Sequence, residues 1–273
     1  MTGIHSFDLT GKRALITGAA GLLGREHAKA LVEIGAEVVL TDINEKELLA
    51  YRTSIEPSYR GKVKVAVMDV TSEESIRQVA SECGDIDVLI NNAAIDAKLK
   101  KDDQEPLEFT RLENFPIGEW NRQIAVGLSG AFLCARVFGT EMAKRKSGVI
   151  LNISSDLSVF APDQRLYRKS GLDEDEQPVK PVTYSVIKTA LIGLTRYLAA
   201  YWADHGVRVN AMSPGGVFNN HPDEFVQRLS NLIPMGRMAH LEEYRAAVQF
   251  LCTPASSYMT GQNIVIDGGR SIL

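Results

Sequence analysis

Short, apolar, β-branched runs at residues 13–17, 37–41, 64–68, 88–91, 149–154, 208–213 and 263–266 alternate with longer stretches of helical period at 22–34, 45–55, 73–83, 118–146, 182–205 and 241–251. This alternation constrains the fold more than any other feature. Strand, helix and strand in succession build a parallel sheet, and such a sheet must be covered by helices on both faces. The pattern predicts an α/β fold, with a doubly wound, parallel, seven-stranded sheet and helices on both faces. No internal repeat, low-complexity tract or Pro/Gly/Ser linker divides the 273 residues, so a single domain over 1–273 is expected. Two polar stretches break the rhythm, at 97–116 and 162–181, and loops of that length are usually functional lids or disordered.

Composition excludes several classes. With 30 Lys and Arg against 34 Asp and Glu, the net charge of −4 argues against a nucleic-acid partner. The three cysteines, Cys83, Cys134 and Cys252, are widely separated and form no disulfide framework or CxxC pair. None of the five histidines has a neighbour at metal-ligand spacing, so no metal is expected. Residues 1–10 lack a basic segment followed by an apolar one, and no run of about 18 apolar residues occurs. A cytoplasmic protein with no membrane partner is therefore expected.

After the first strand comes Thr17-Gly18-Ala19-Ala20-Gly21-Leu22-Leu23-Gly24, which opens a helix. Small residues there let the backbone approach a pyrophosphate, whose charge is favoured by free N–H groups and the helix dipole. A bare βα turn with no ligand has the same glycines, but the acidic Asp42 at the end of the second strand completes the context of a dinucleotide site. It stands 18 residues beyond Gly24, where a carboxylate accepts from a ribose 2′-hydroxyl and repels a 2′-phosphate, so NAD is expected over NADP. Its other reading is an N-cap for the helix near Glu45. Asp69 could likewise accept from the adenine amino group or simply cap the next helix.

Tyr184-Ser185-Val186-Ile187-Lys188 opens the fifth helical stretch. A spacing of four puts phenol and ammonium on one face, where the cation favours a tyrosinate that can exchange a proton near neutral pH. Alone, such a pair usually means an exposed Tyr–Lys contact. Here it stands in order with the TGxxGxxG turn, Asp42, Asp69-Val70, Asn91-Asn92-Ala93-Ala94, Asn152-Ile153-Ser154-Ser155, Asn210, Pro214-Gly215, Thr260-Gly261-Gln262 and Asp267-Gly268-Gly269. Taken together the chain resembles the short-chain dehydrogenase/reductase family nearly end to end. The resemblance implies one Rossmann domain, a nicotinamide cofactor and hydride transfer between an alcohol and a carbonyl. It implies Tyr184 as general acid/base, Lys188 on the nicotinamide ribose and tuning Tyr184, and Ser155 on the substrate oxygen. The implied cofactor residues are Gly18, Gly21, Leu22, Leu23, Gly24, Asp42, Asp69, Val70, Asn92, Ala93, Ala94, Tyr184, Lys188, Pro214, Gly215, Val217 and Asn219. Val217 would use its backbone, and Asn219 stands where threonine is commoner.

Three departures from the family pattern stand out. The glycine spacing is that of the extended branch containing nucleotide-sugar epimerases and dehydratases, although the shorter, single-domain class, without that branch's longer C-terminal substrate domain, is expected. Gly127 takes the place of an asparagine that holds a water in the proton relay. Ser155 and Tyr184 are 29 residues apart, about twice the usual gap, the excess being the polar insertion at 162–181. That insertion is expected to loop out without moving either residue.

Polar residues border the expected pocket: Asp96, Lys98, Lys100 and Lys101, then Arg165, Arg168 and Lys169 in the insertion, then Asn219, Asn220 and His221. They suggest a polar small-molecule substrate, such as a sugar or nucleotide-sugar derivative, and the pattern weakly resembles bacterial dehydrogenases of surface-sugar or flagellin modification. The bland alternative is that these charges are the solvated faces of two loops. Two other functions fit the motifs: an NAD-binding sensor or interaction module without turnover, and an epimerase or dehydratase with tightly held NAD. A homodimer or homotetramer is expected from the family, through the helical stretches 118–146 and 182–205.

Overall fold

The computed structural model describes residues 3–95 and 110–273. Seven strands form one parallel sheet: β1 (Arg13–Thr17), β2 (Glu37–Asp42), β3 (Val63–Val67), β4 (Val88–Asn91), β5 (Gly148–Ile153), β6 (Val207–Pro214) and β7 (Asn263–Ile266), in spatial order β3-β2-β1-β4-β5-β6-β7. The expected class is thus the observed one, a Rossmann-type α/β fold, and strand ends differ from expectation by a residue. All neighbouring pairs are parallel, with registers such as Ile16 opposite Leu40 and Ile90 opposite Leu151.

The main helices are α1 (Leu22–Glu33), α2 (Glu45–Ser54), α3 (Glu73–Cys83), the long run α4 (Ile117–Lys144), α5 (Val182–Tyr201), α6 (Asp223–Ser230) and α7 (Arg245–Cys252). Alternate strand residues feed two cores. Ala14, Ile16, Val38, Leu40 and Ile90 pack with Ala28, Leu31, Val248 and Leu251 from α1 and α7. Leu15, Val39, Leu89, Ile150 and Val209 pack with Ile76, Phe138, Met142 and Leu198 from α3, α4 and α5. Strands buried on both faces read as continuous apolar runs, which is why they are visible in the sequence.

Two findings differ from expectation. Residues 118–146 are not plain α-helix, because α4 contains two π-helical segments, Ala125–Ser129 and Ala135–Gly139. Such widened turns recur at functional sites. The eight-residue α6 was not anticipated; Pro222 at its N-cap starts it. Among the described residues one helix, α4, is long and apolar enough to span a membrane, but Cys134, Phe138 and Met142 bury it against the sheet.

The chain reverses direction across the sheet between β1 and β4, so their carboxyl ends flank a crevice. In open α/β sheets ligands bind there.

Candidate active site

At the crevice, backbone proximity does the shaping. Thr17 Oγ1 accepts from the N–H groups of Asn92 and Ala93, both at 3.0 Å. Asn92 Nδ2 donates back to the carbonyls of Thr17 and Gly18, each at 3.0 Å, tying the end of β4 to the turn. Gly18 has φ +63°, and a Cβ there would sit 2.8 Å from Ala93 Cα. A Cβ on Gly24 would lie 2.5 Å from the Gly18 carbonyl oxygen and 2.8 Å from Ala19 Cα. Only glycine fits both positions. Gly21, extended at φ −72° and ψ 169°, is the N-cap of α1 and provides no side-chain cap, so the first turn at Leu22, Leu23 and Gly24 offers its backbone to an anion.

Asp42 lies across this turn. Its Oδ2 accepts from Ala20 N–H at 3.2 Å and its Oδ1 from Asn44 N–H at 3.1 Å, which aims the carboxylate at the turn and leaves it acceptor capacity. The cap of α2 is Asn44, whose side chain accepts from Glu47 N–H, so the alternative role for Asp42 falls to its neighbour. Asp69 behaves differently. Its Oδ1 accepts from both the N–H and the Oγ1 of Thr71, closing a local turn on the surface. Val70 is buried and would be met by any Cβ on Gly130 of α4.

At the other side of the crevice, Pro214 ends β6 and Gly215 presses on Asp267, where a Cβ would sit 2.8 Å from Asp267 Cα. Val217 bridges to Ala239 through hydrogen bonds from Ala239 to Gly216 and from Phe218 to Ala239, leaving the N–H and C=O of Val217 itself outside the bridge. Asn219 is exposed, in a local turn where its N–H donates to His221 Nδ1 at 3.2 Å. Ala94 is exposed at the end of β4. The residues present therefore suit a dinucleotide: a close-packed glycine cradle for the pyrophosphate, a carboxylate for ribose hydroxyls and, beyond β6, the Val217 backbone groups that its bridge to Ala239 does not use.

Ser155 follows β5 and is 4% exposed, while Tyr184 stands half-buried in the first turn of α5 with Lys188 one turn on. Lys188 Nζ donates to the Ile153 carbonyl at 2.9 Å, and Ser154 Oγ donates to the Lys188 carbonyl at 2.7 Å. These bonds lock α5 to the end of β5, so the insertion between Ser155 and Tyr184 does not separate them. Lys188 Nζ lies 5.7 Å from the Tyr184 ring centroid. A second ammonium, of Lys180, is closer at 3.9 Å over the ring face. Lys180 lies within the insertion and was not among the residues the sequence pointed to. Its only signal was position, four residues before Tyr184.

Gly127 lies in the first π segment of α4, and a Cβ there would come 2.8 Å from Ile187 Cγ2. Ile187 fills the space that a side chain at 127 would need, so the departure at Gly127 is a packing choice. One turn earlier, buried Gln123 accepts through Oε1 from Thr183 Oγ1, joining α4 to α5 beside Tyr184.

The insertion is folded rather than looped out. Leu166, in a 3₁₀ turn, is buried with Leu229, Ile233 and Met238. Of the basic cluster expected to face substrate, Arg165 pairs with Asp163 and Arg168 with Glu174, which favours the bland reading for both. Asp96, Lys98, Lys100 and Lys101 lie outside the described residues. A cavity of about 360 Å³ opens between residues 110–113, the insertion and α5, lined by Lys180, Val182, Ser185 and Val186. Helical spacing puts the α5 residues of this lining on the side away from Tyr184 and Lys188.

A glycine cradle at a β1/β4 crevice, with a Tyr–Lys pair at the mouth of the next strand, defines a dinucleotide-dependent enzyme of the α/β class. Family comparison agrees with the motifs: residues 12–167 match the short chain dehydrogenase model and residues 175–271 the enoyl-(acyl carrier protein) reductase model. The chain belongs to the short-chain dehydrogenase/reductase family. Among its relatives, an NAD-dependent glycerol dehydrogenase of Listeria innocua is 33% identical over 97% of this chain and 96% of its own. A D-threitol dehydrogenase of Mycolicibacterium smegmatis is 32% identical over 97% and 95%. The crystal structure of a gluconate 5-dehydrogenase from Burkholderia cenocepacia, in complex with NADP and tartrate, superimposes with a TM-score of 0.80 at 28% identity, covering 98% of both chains. The protein is an oxidoreductase of this family with a nucleotide cofactor.

Proposed function

We propose that this protein is an NAD-dependent dehydrogenase that oxidises a carbinol of a polar, polyhydroxylated substrate, or reduces the corresponding carbonyl. The observation that carries the reading is the locking of α5 to β5 through Lys188 and Ser154, which anchors the helix bearing Tyr184 to the end of the strand that Ser155 follows. Asp42, aimed at the glycine turn, supports NAD, because a 2′-phosphate beside it would meet like charge. The named relatives act on a polyol, a tetritol and a sugar acid, which supports a hydroxyl-rich substrate over an acyl chain.

In this reading Gly18, Gly21, Leu22, Leu23 and Gly24 hold the pyrophosphate, with Asp42 on the ribose and Asn92, Ala93, Ala94, Pro214, Gly215, Val217 and Asn219 bordering the rest. Asp69 and Val70 shape the rim. The bound nicotinamide supplies the hydride acceptor or donor. Tyr184 takes the hydroxyl proton at its Oη, Lys188 favours the tyrosinate by charge and binds ribose, and Ser155 hydrogen-bonds the reacting oxygen. A cytoplasmic homo-oligomer of one domain per chain is the setting we infer.

The test is a thermal-shift comparison of NAD and NADP followed by a polyol and aldonate panel, with wild type against Tyr184→Phe. The expected result is stabilisation by NAD, NADH formation with a polyol, and a loss of about 10²- to 10⁴-fold in kcat in the variant with cofactor binding kept. Stabilisation by NADP alone would refute the role of Asp42. Cofactor binding in both proteins with turnover in neither would indicate a sensor rather than an enzyme.

A further inference from the structure

Ser155 is followed by an aspartate whose carboxylate is buried rather than solvated. Asp156 is 4% exposed; its Oδ1 accepts from Ser155 Oγ at 2.9 Å and from Leu157 N–H at 2.9 Å, and its Oδ2 accepts from Arg270 at 3.2 Å. Arg270 arrives from the far end of the chain, 114 residues away, and its guanidinium lies 4.8 Å from the Phe160 ring centroid. The Asp267 carboxylate accepts from Gly269 N–H at 2.9 Å and Ser271 N–H at 2.7 Å, folding the last turn so that Arg270 points inward. A buried carboxylate is costly unless paired and hydrogen-bonded, and this one is both. Burial nonetheless pushes the Asp156 carboxyl above the usual carboxylate range, against the pull of Ser155 and Arg270.

A serine hydroxyl has one proton to give. Here that proton goes to Asp156, and Leu157 N–H at 3.2 Å takes part of the acceptor capacity of Oγ. What Ser155 has left is a lone pair. We infer that Asp156, anchored by Arg270, is a positioning residue that fixes the rotamer of Ser155 and directs its proton inward, so that the resting site receives a hydroxyl rather than a carbonyl. Reduction of a carbonyl then requires Ser155 to release Asp156 before it can donate. The inference rests on the proposed dehydrogenase function and adds a residue pair to it.

Removing one partner alone would leave a buried charge, so the test is made in the Arg270→Met background. There Asp156→Asn keeps an acceptor for Ser155, whereas Asp156→Leu removes it. Expected are similar melting temperatures for the two double variants, most of the wild-type kcat in the Asn variant, and a loss of about 10- to 100-fold in the Leu variant at unchanged cofactor Kd. In a Ser155→Ala/Arg270→Met background, Asp156→Leu should add no further loss. Wild-type kcat in the Leu double variant, equal losses in Asn and Leu, or additive losses with Ser155→Ala would each overturn the positioning role. If wild type itself turns over no alcohol or carbonyl, the dehydrogenase reading fails and the positioning role with it.

Discussion

The crevice has two walls that are held in different ways. The cofactor wall, β1 to β3 with the turn after β1, is fixed chiefly by backbone approach, Gly18 against Ala93 and Gly24 against the Gly18 carbonyl, with Asn92 Nδ2 bonded to the Thr17 and Gly18 carbonyls. The opposite wall, made of the insertion and α6 and assigned to the substrate only by the proposed function, is fixed by side chains. Gln177 bonds Lys169 and Leu172, Arg228 donates to the Arg168 carbonyl, and Leu166 packs on Leu229 and Ile233. Backbone contacts tolerate one residue type, while side-chain contacts tolerate many. The difference explains how such a fold can vary its substrate without disturbing its cofactor site.

The same contrast decides what could be read in advance. The strands, the turn, Asp42 and the Tyr184–Lys188 pair rest on local pattern, so each was visible in the sequence. Gly127 was seen as a departure, but its reason, the bulk of Ile187 across the helix pair, is a tertiary contact. The insertion read as a loop because its short 3₁₀ turn and its Leu166 become ordered only against α6. Asp156 and Arg270 carried no signal, being joined across 114 residues.

The largest effect that should separate the walls is a pH effect. His27 of α1 is fully buried behind the cofactor wall, with neither ring nitrogen bonded, and burial lowers its pKa from 6.5 to about 4. A folded-state pKa below the unfolded one means that the unfolded chain binds the proton more readily. Its contribution to stability is therefore intact above pH 6.5 and is lost as the pH falls towards 4, a difference of about 3 kcal/mol. Urea unfolding of wild type and His27→Leu should show a steeper acid loss in wild type. Parallel pH profiles would mean that the imidazole finds a partner or water in solution.

Next in size is Gly24→Ala. The added Cβ meets backbone on two sides, so the turn must open, at about 1–3 kcal/mol of stability and with weaker cofactor binding. Equilibrium unfolding and cofactor titration report the two losses together. Unchanged cofactor affinity would show that the wall yields more than its contacts imply.

The smallest effect belongs to the substrate wall and tests whether it reaches the chemistry at all. Lys180 places its ammonium 3.9 Å from the Tyr184 ring centroid, nearer than Lys188 at 5.7 Å. A cation on that face interacts more strongly with the tyrosinate than with the phenol, at about 0.5–2 kcal/mol. Lys180→Met should therefore lower kcat by about 3- to 10-fold near pH 7 and by less at higher pH, with melting temperature and cofactor Kd unchanged. Lys180→Arg should retain most of the rate. A loss confined to substrate KM would place Lys180 on the substrate instead, and the wall would then act in recognition alone, leaving the acid/base step to the residues of α5.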